Sequence, residues 1–71
     1  MTIKELAKAT GLPVSTIRYY ERRGFLPEPD RLPNNYRNYS DQIVKTLHLI
    51  LYFSGLGLTL EQIGTILRKN D

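Results

Sequence analysis

Ser15, Arg18, Tyr19 and Arg22 recur at intervals of three and four residues. On a helix that spacing places them on one stripe. The stripe carries a hydroxyl, two guanidiniums and a phenol, and no acid. Such groups match phosphate oxygens and the edges of nucleic-acid bases. On the same stretch Val14, Ile17, Tyr20 and Glu21 share the opposite face. Three of those four are apolar or aromatic, so that face belongs to a core. Core packing accounts for Tyr20 in this way and leaves Tyr19 unexplained.

The charges are unevenly spread. Arg18, Arg22, Arg23, Arg31 and Arg37 are five of the six arginines, and no lysine lies between them. Arginine offers planar, forked hydrogen bonding that lysine does not. Tyr19, Tyr20, Tyr36 and Tyr39 cluster over nearly the same interval. Arginine and tyrosine on a helix, then again on a short loop, form two parts of one nucleic-acid footprint. Glu21, Glu28 and Asp30 are the acids within reach of these arginines.

The remaining composition sets limits. Seventy-one residues make one small domain, with net charge +3 and a pI near 9.5. That balance leans toward anionic partners. The absence of cysteine rules out a disulfide framework or a cysteine-based zinc site within these residues. His48 has no second histidine or cysteine to join it and reads as a packing or surface residue. No Ser/His/Asp arrangement, phosphate-cradling glycine loop or paired carboxylates point to catalysis, and no cofactor is expected in this chain. The apolar run from Leu47 to Leu60 is too short and interrupted to cross a bilayer. The N-terminus lacks a signal core, and a cytoplasmic location is expected.

These side chains need elements to hold them. Thr2 and Glu5 make a capping box for a helix over about 3–10, ended by Gly11. Pro13 suits the first turn of a second helix over about 14–23, stopped by Gly24. Two short helices joined by a glycine turn form a helix-turn-helix. From Pro27 to Ser40, three prolines and three asparagines break the helical pattern. A hairpin is predicted there, with strands near Arg31–Leu32 and Asn38–Tyr39 and Asn34–Asn35 at its tip. Ser40 is positioned to cap a third helix over about 41–54, closed by Gly55. Thr59 and Gln62 cap a fourth over about 60–69. The fold class is mainly α: four short helices with a small β-hairpin between the second and third.

"TIRYYERRGFL" followed at this spacing by "NNYRNYS" resembles the MerR family of bacterial transcriptional regulators, over nearly all 71 residues. The resemblance implies a winged helix-turn-helix that binds double-stranded promoter DNA. The second helix would enter the major groove, and the hairpin wing, about 27–39, would grip the flanking backbone or minor groove. Carried over position by position, Arg18 and Tyr19 would contact DNA from the helix, and Tyr36 and Arg37 from the wing. Ser15 and Thr16 would lie near base edges. Arg22 joins them from the stripe. Tyr39, assigned mainly to the core, completes the candidate set. Two departures stand out. The family's Asn-Gly wing tip is Asn34-Asn35 here, and Pro13 replaces a common capping hydroxyl. The family's dimerising helix and effector region fall outside these residues. Homodimerisation, and an action on RNA polymerase through promoter DNA, are therefore expectations for a longer protein.

Two other functions fit the same residues. One is a small architectural DNA-binding factor of the excisionase kind. The other is a protein-interaction adaptor reusing the fold, which would have no need of the arginines kept here on helix and wing. The third helix adds a further expectation. Ile43, Leu47, Ile50 and Ser54 make an inward stripe, while Leu49, Tyr52, Phe53 and Leu56 make a second one. Leu60, Ile63 and Leu67 cover only part of that second stripe, which leaves an apolar surface for a partner.

Overall fold

The structure is a computed structural model that describes residues 1–27, 29–34 and 36–69. Helix α1 spans Ile3–Thr10, α2 Val14–Arg22, α3 Asp41–Gly55 and α4 Leu60–Lys69. Strands β1, Asp30–Arg31, and β2, Arg37–Asn38, pair antiparallel between α2 and α3. This is the expected order of elements. The expected place of Asn35 at the wing tip, and any ion pair through Glu28, lie outside the described residues.

Local chemistry sets the helix starts. The Thr2 hydroxyl accepts from the Glu5 backbone, and the Thr2 backbone N–H donates to Glu5 Oε1 at 2.8 Å. That second bond holds the Glu5 carboxyl below its usual range. Thr59 and Gln62 make the same reciprocal pair before α4. Ser40 stands at the N-cap of α3, yet its side chain makes no capping bond. Asp41 contributes a negative charge in that first turn instead. Pro13 is the N-cap of α2, directly before Val14, and makes no side-chain capping bond.

The helix ends differ by a residue from the sequence expectation, for one reason in both cases. At α2, Phe25 N–H donates to Tyr20 C=O and Gly24 N–H to Glu21 C=O, both at 3.0 Å. This is a Schellman closure, and it demands the left-handed φ of 79° that Gly24 adopts. At α3, Leu58 N–H reaches Phe53 C=O and Gly57 N–H reaches Ser54 C=O. There Gly57, at φ 93°, turns the chain. The helix therefore runs through Gly55, which the sequence had marked as the stop.

The core draws on every helix and on the connections. Leu6, Ile17, Ile43, Leu47, Ile50 and Ile63 are buried, together with Phe25, Leu26 and Tyr39. Helix α1 packs on α2 and α3, and α3 packs on α4. Phe25 and Leu26 join the helix-turn-helix to the α3–α4 pair. The Phe25 ring meets Tyr20 edge to face, with centroids 6.5 Å apart. Its far edge lies over Gly64 of α4, where an added Cβ would overlap Cε1 of the ring.

The second stripe of α3 remains open. Tyr52 and Leu56 are 62% and 61% exposed, Leu49 is exposed too, and Phe53 is half-buried. Of the inward stripe, Ser54 alone is exposed.

The close approach at Gly64 sets up a test. Alanine is normally favoured over glycine within a helix by about 0.5–1 kcal/mol. Here the methyl group must displace a buried ring, and overpacking of that kind typically costs ~1–3 kcal/mol. Gly64→Ala is expected to lower the thermal unfolding midpoint. A midpoint equal to or above that of the parent chain would show that Phe25 swings aside freely.

Candidate nucleic-acid interface

The helical phase on α2 is the expected one. Ile17 is fully buried, while Val14, Tyr20 and Glu21 are half-buried. Ser15, Arg18, Tyr19 and Arg22 are exposed on the opposite side, and Thr16 is half-buried at the helix N-terminus. Tyr19 is held rather than loose. Arg23 Nη1 donates to the Tyr19 hydroxyl at 3.0 Å, and its guanidinium carbon lies 5.8 Å from both the Tyr19 and Phe25 ring centroids. Arg23 was counted in the basic cluster but not among the candidate contacts. Its position four residues after Tyr19 was the available signal.

The wing is offset from the expected register. Asp30 pairs with Asn38 and Arg31 with Arg37, one residue earlier than the pattern suggests. The cause is tertiary. The Tyr39 N–H donates to Met1 C=O at 2.8 Å, outside the hairpin, so the ladder ends at Asn38. At the other end, Leu32 N–H reaches Tyr36 C=O and the Tyr36 N–H donates to the Asn34 side chain, closing the loop. The Met1 amino group adds bonds to Asn38 Oδ1 at 2.9 Å and Tyr39 C=O at 2.7 Å. The wing is thereby clasped to the start of α1.

One cleft of about 250 Å³ brings helix and wing together. Thr2 and Ile3 line it from the start of α1, Arg18 from α2, and Arg31, Tyr36 and Arg37 from the wing, with Tyr39 at its base. Arg31 and Arg37 are directly opposed across the two strands. Arg31 lies outside the candidate set, because the register that sets it beside Arg37 is not legible in the sequence. Ser15, Thr16, Tyr19 and Arg22 are not part of this cleft; they continue the surface along α2. Tyr36 is 71% exposed.

The Tyr39 side chain is 1% exposed, in keeping with its main assignment to the core, and it lies at the base of the cleft. Its hydroxyl donates to Glu21 Oε1. The second carboxylate oxygen, Oε2, lies 3.7 Å from Arg37 Nε. Burial pushes the Tyr39 phenol up to about 12, with the bond to Glu21 and the carboxylate charge adding to the shift. Among the described residues, no group of three or more His, Cys, Asp or Glu side chains could hold a metal ion. No helix among them is long and apolar enough to cross a membrane.

Helix α2 with its exposed basic stripe, the glycine turn before it and the arginine-bearing hairpin after it define a winged helix-turn-helix. Residues 1–70 match the model of the MerR HTH family regulatory proteins, and the chain belongs to that family. It is 49% identical over 69 residues to a mercuric resistance operon regulatory protein of Bacillus cereus, covering 97% of this chain and 52% of that protein. Among solved structures it is similar to the transcription regulator PbrR691 of Ralstonia metallidurans in complex with lead(II), with a TM-score of 0.93 and 37% identity. That match covers all of this chain and 56% of the other. A third likeness, to HiNmlR, a MerR family regulator lacking the sensor domain and bound to promoter DNA, has a TM-score of 0.89 at 24% identity. It covers 99% of this chain and 53% of that one, and it bears on the fold. The chain spans about half the length of the curated relatives it matches.

The buried phenol makes stability depend on alkaline pH. In the unfolded chain Tyr39 titrates near its ordinary value of 10, and in the folded chain near 12. The raised folded value favours the folded state fully below pH 10, and that advantage is lost as pH rises from 10 through about 12. Thermal unfolding followed across this range is expected to show a declining midpoint. Tyr39→Phe should remove the part of the decline due to this group; an unchanged profile would mean Tyr39 does not contribute.

Proposed function

We propose that this chain is the DNA-binding unit of a MerR-family transcriptional regulator and recognises double-stranded promoter DNA in a sequence-specific way. The observation that carries this reading is the cleft in which Arg18 of α2 faces Arg31, Tyr36 and Arg37 of the wing. Helix α2 lies in the major groove, with Ser15, Thr16, Arg18, Tyr19 and Arg22 toward base edges and phosphates. Tyr36 and Arg37 grip the flanking backbone or minor groove. Arginines from two separate elements then straddle the strand that lies in the cleft. The unit acts by binding and not by catalysis, and any effect on RNA polymerase passes through the DNA.

The exposed Leu49, Tyr52 and Leu56 stripe supports a second part of this reading. A longer protein containing this unit acts as a homodimer on a two-fold operator, and this face is covered there. The 71 residues alone are then monomeric or weakly self-associating, and bind a half-site poorly. Sedimentation of the 71-residue chain is the check. A tight dimer formed with the α3 stripe still exposed would place the partner surface elsewhere.

The DNA contacts are tested on a duplex selected by the chain from a random-sequence pool. Arg18→Ala and Arg37→Ala should each weaken binding with little change in thermal unfolding. A base contact should cost ~1–3 kcal/mol and relax specificity at one position. A phosphate contact should lower the salt slope by about one and act alike on all sequences. Unaltered affinity in both variants would remove the basis for the reading.

A further inference from the structure

Glu21 is an acid placed inside a basic footprint. It is the only acid on α2. By charge alone it opposes any phosphate brought to Arg18 or Arg37. Its geometry suggests a different effect. The Glu21 side chain is only 15% exposed, whereas that of Arg37 is 42% exposed. One carboxylate oxygen accepts from the hydroxyl of Tyr39, whose ring is locked in the core. The other faces Arg37 Nε at 3.7 Å. A guanidinium has five N–H donors, and only one of them is on Nε. A carboxylate on that side leaves the terminal nitrogens to address the cleft that Arg37 lines.

Each strand of the wing has two residues, and all four are exposed. A long side chain on such a ribbon loses rotamer freedom when it grips a phosphate, and prior ordering reduces that loss. A pair this exposed contributes little to folding. Its value lies in orientation.

We propose that Glu21 is a positioning residue for DNA recognition: Tyr39 fixes its carboxylate, and the carboxylate orients the Arg37 guanidinium toward the DNA backbone. This rests on Arg37 being a DNA contact, as proposed above. Glu21 joins the core, the recognition helix and the wing in one relay.

The two effects of Glu21 have opposite signs, which makes the inference testable. Glu21→Gln keeps an acceptor for the Tyr39 hydroxyl and nearly the same volume, and removes the charge. If Glu21 acted only as a misplaced negative charge, the variant would bind DNA more tightly. Positioning predicts weaker binding to the selected duplex, by about three- to tenfold, where tenfold is 1.4 kcal/mol. The salt slope should move in the same direction and by as much as in Arg37→Ala. The double variant Glu21→Gln/Arg37→Ala should bind no worse than Arg37→Ala, since the two residues act through one contact. Affinity equal to or above wild type in Glu21→Gln, or losses that multiply in the double variant, would overturn the inference. Arg37→Ala without any loss would instead defeat the assignment of Arg37 as a contact, and the two failures are thus distinct. Should Glu21→Gln unfold, Tyr39→Phe carries the test. It keeps the buried ring and releases the carboxylate, so weaker binding supports the relay and unchanged binding refutes it.

Discussion

Tyr39 stands where the wing returns to the helices, and three elements meet on it. Its ring is in the core, its hydroxyl bonds Glu21 of α2, and its backbone exchanges hydrogen bonds with Met1 ahead of α1. A hairpin of two-residue strands has no core of its own and is marginal in isolation. Its position must come from anchors at its base. Burying a phenol requires a partner for the hydroxyl, and the partner here is a carboxylate on α2. The same bond that satisfies a buried polar group therefore fixes the wing relative to α2. The width of the cleft between Arg18 and the wing follows from it.

The helix-turn-helix is held to the rest of the chain in a comparable way. The Schellman closure after α2 turns the chain so that Phe25 and Leu26 point inward. Phe25 then stacks edge-on to Tyr20 and lies over Gly64, where the absence of a side chain allows the contact. Cap chemistry at one helix end thus brings Phe25 between α2 and α4. Nine buried hydrophobic residues among the described ones form this core.

The electrostatics divide along the same line. Arginines on α2 and the wing face solvent, and the one acid among them on α2 is drawn back under Arg37. Arg31 and Arg37 stand directly opposed across the two strands, and Glu21 approaches Arg37 from α2. Glu21 approaches one guanidinium of the wing while that side chain stays 42% exposed.

Much of this was legible in the sequence. Period 3.6 on α2 separated Ile17 from Arg18 and Tyr19, because helical side chains have only one way to face a core. Capping boxes at Thr2 and Thr59 announced two helix starts, since they depend on residues three apart. Local pattern also gave the order of elements and left an apolar stripe on α3. What it could not give were pairings between distant residues. The wing register depends on Met1, 38 residues from Tyr39. The stop of α3 depends on which of two nearby glycines takes the left-handed φ, and Gly57 rather than Gly55 takes it. The bond of the Tyr39 hydroxyl to Glu21, 18 residues away, is not a property of neighbouring residues. Arg31 gained its place in the cleft only through the strand that aligned it with Arg37. Helical phase, caps and composition are properties of neighbours along the chain. Register, burial and the Tyr39–Glu21–Arg37 relay are properties of the folded chain, because only there do their partners meet.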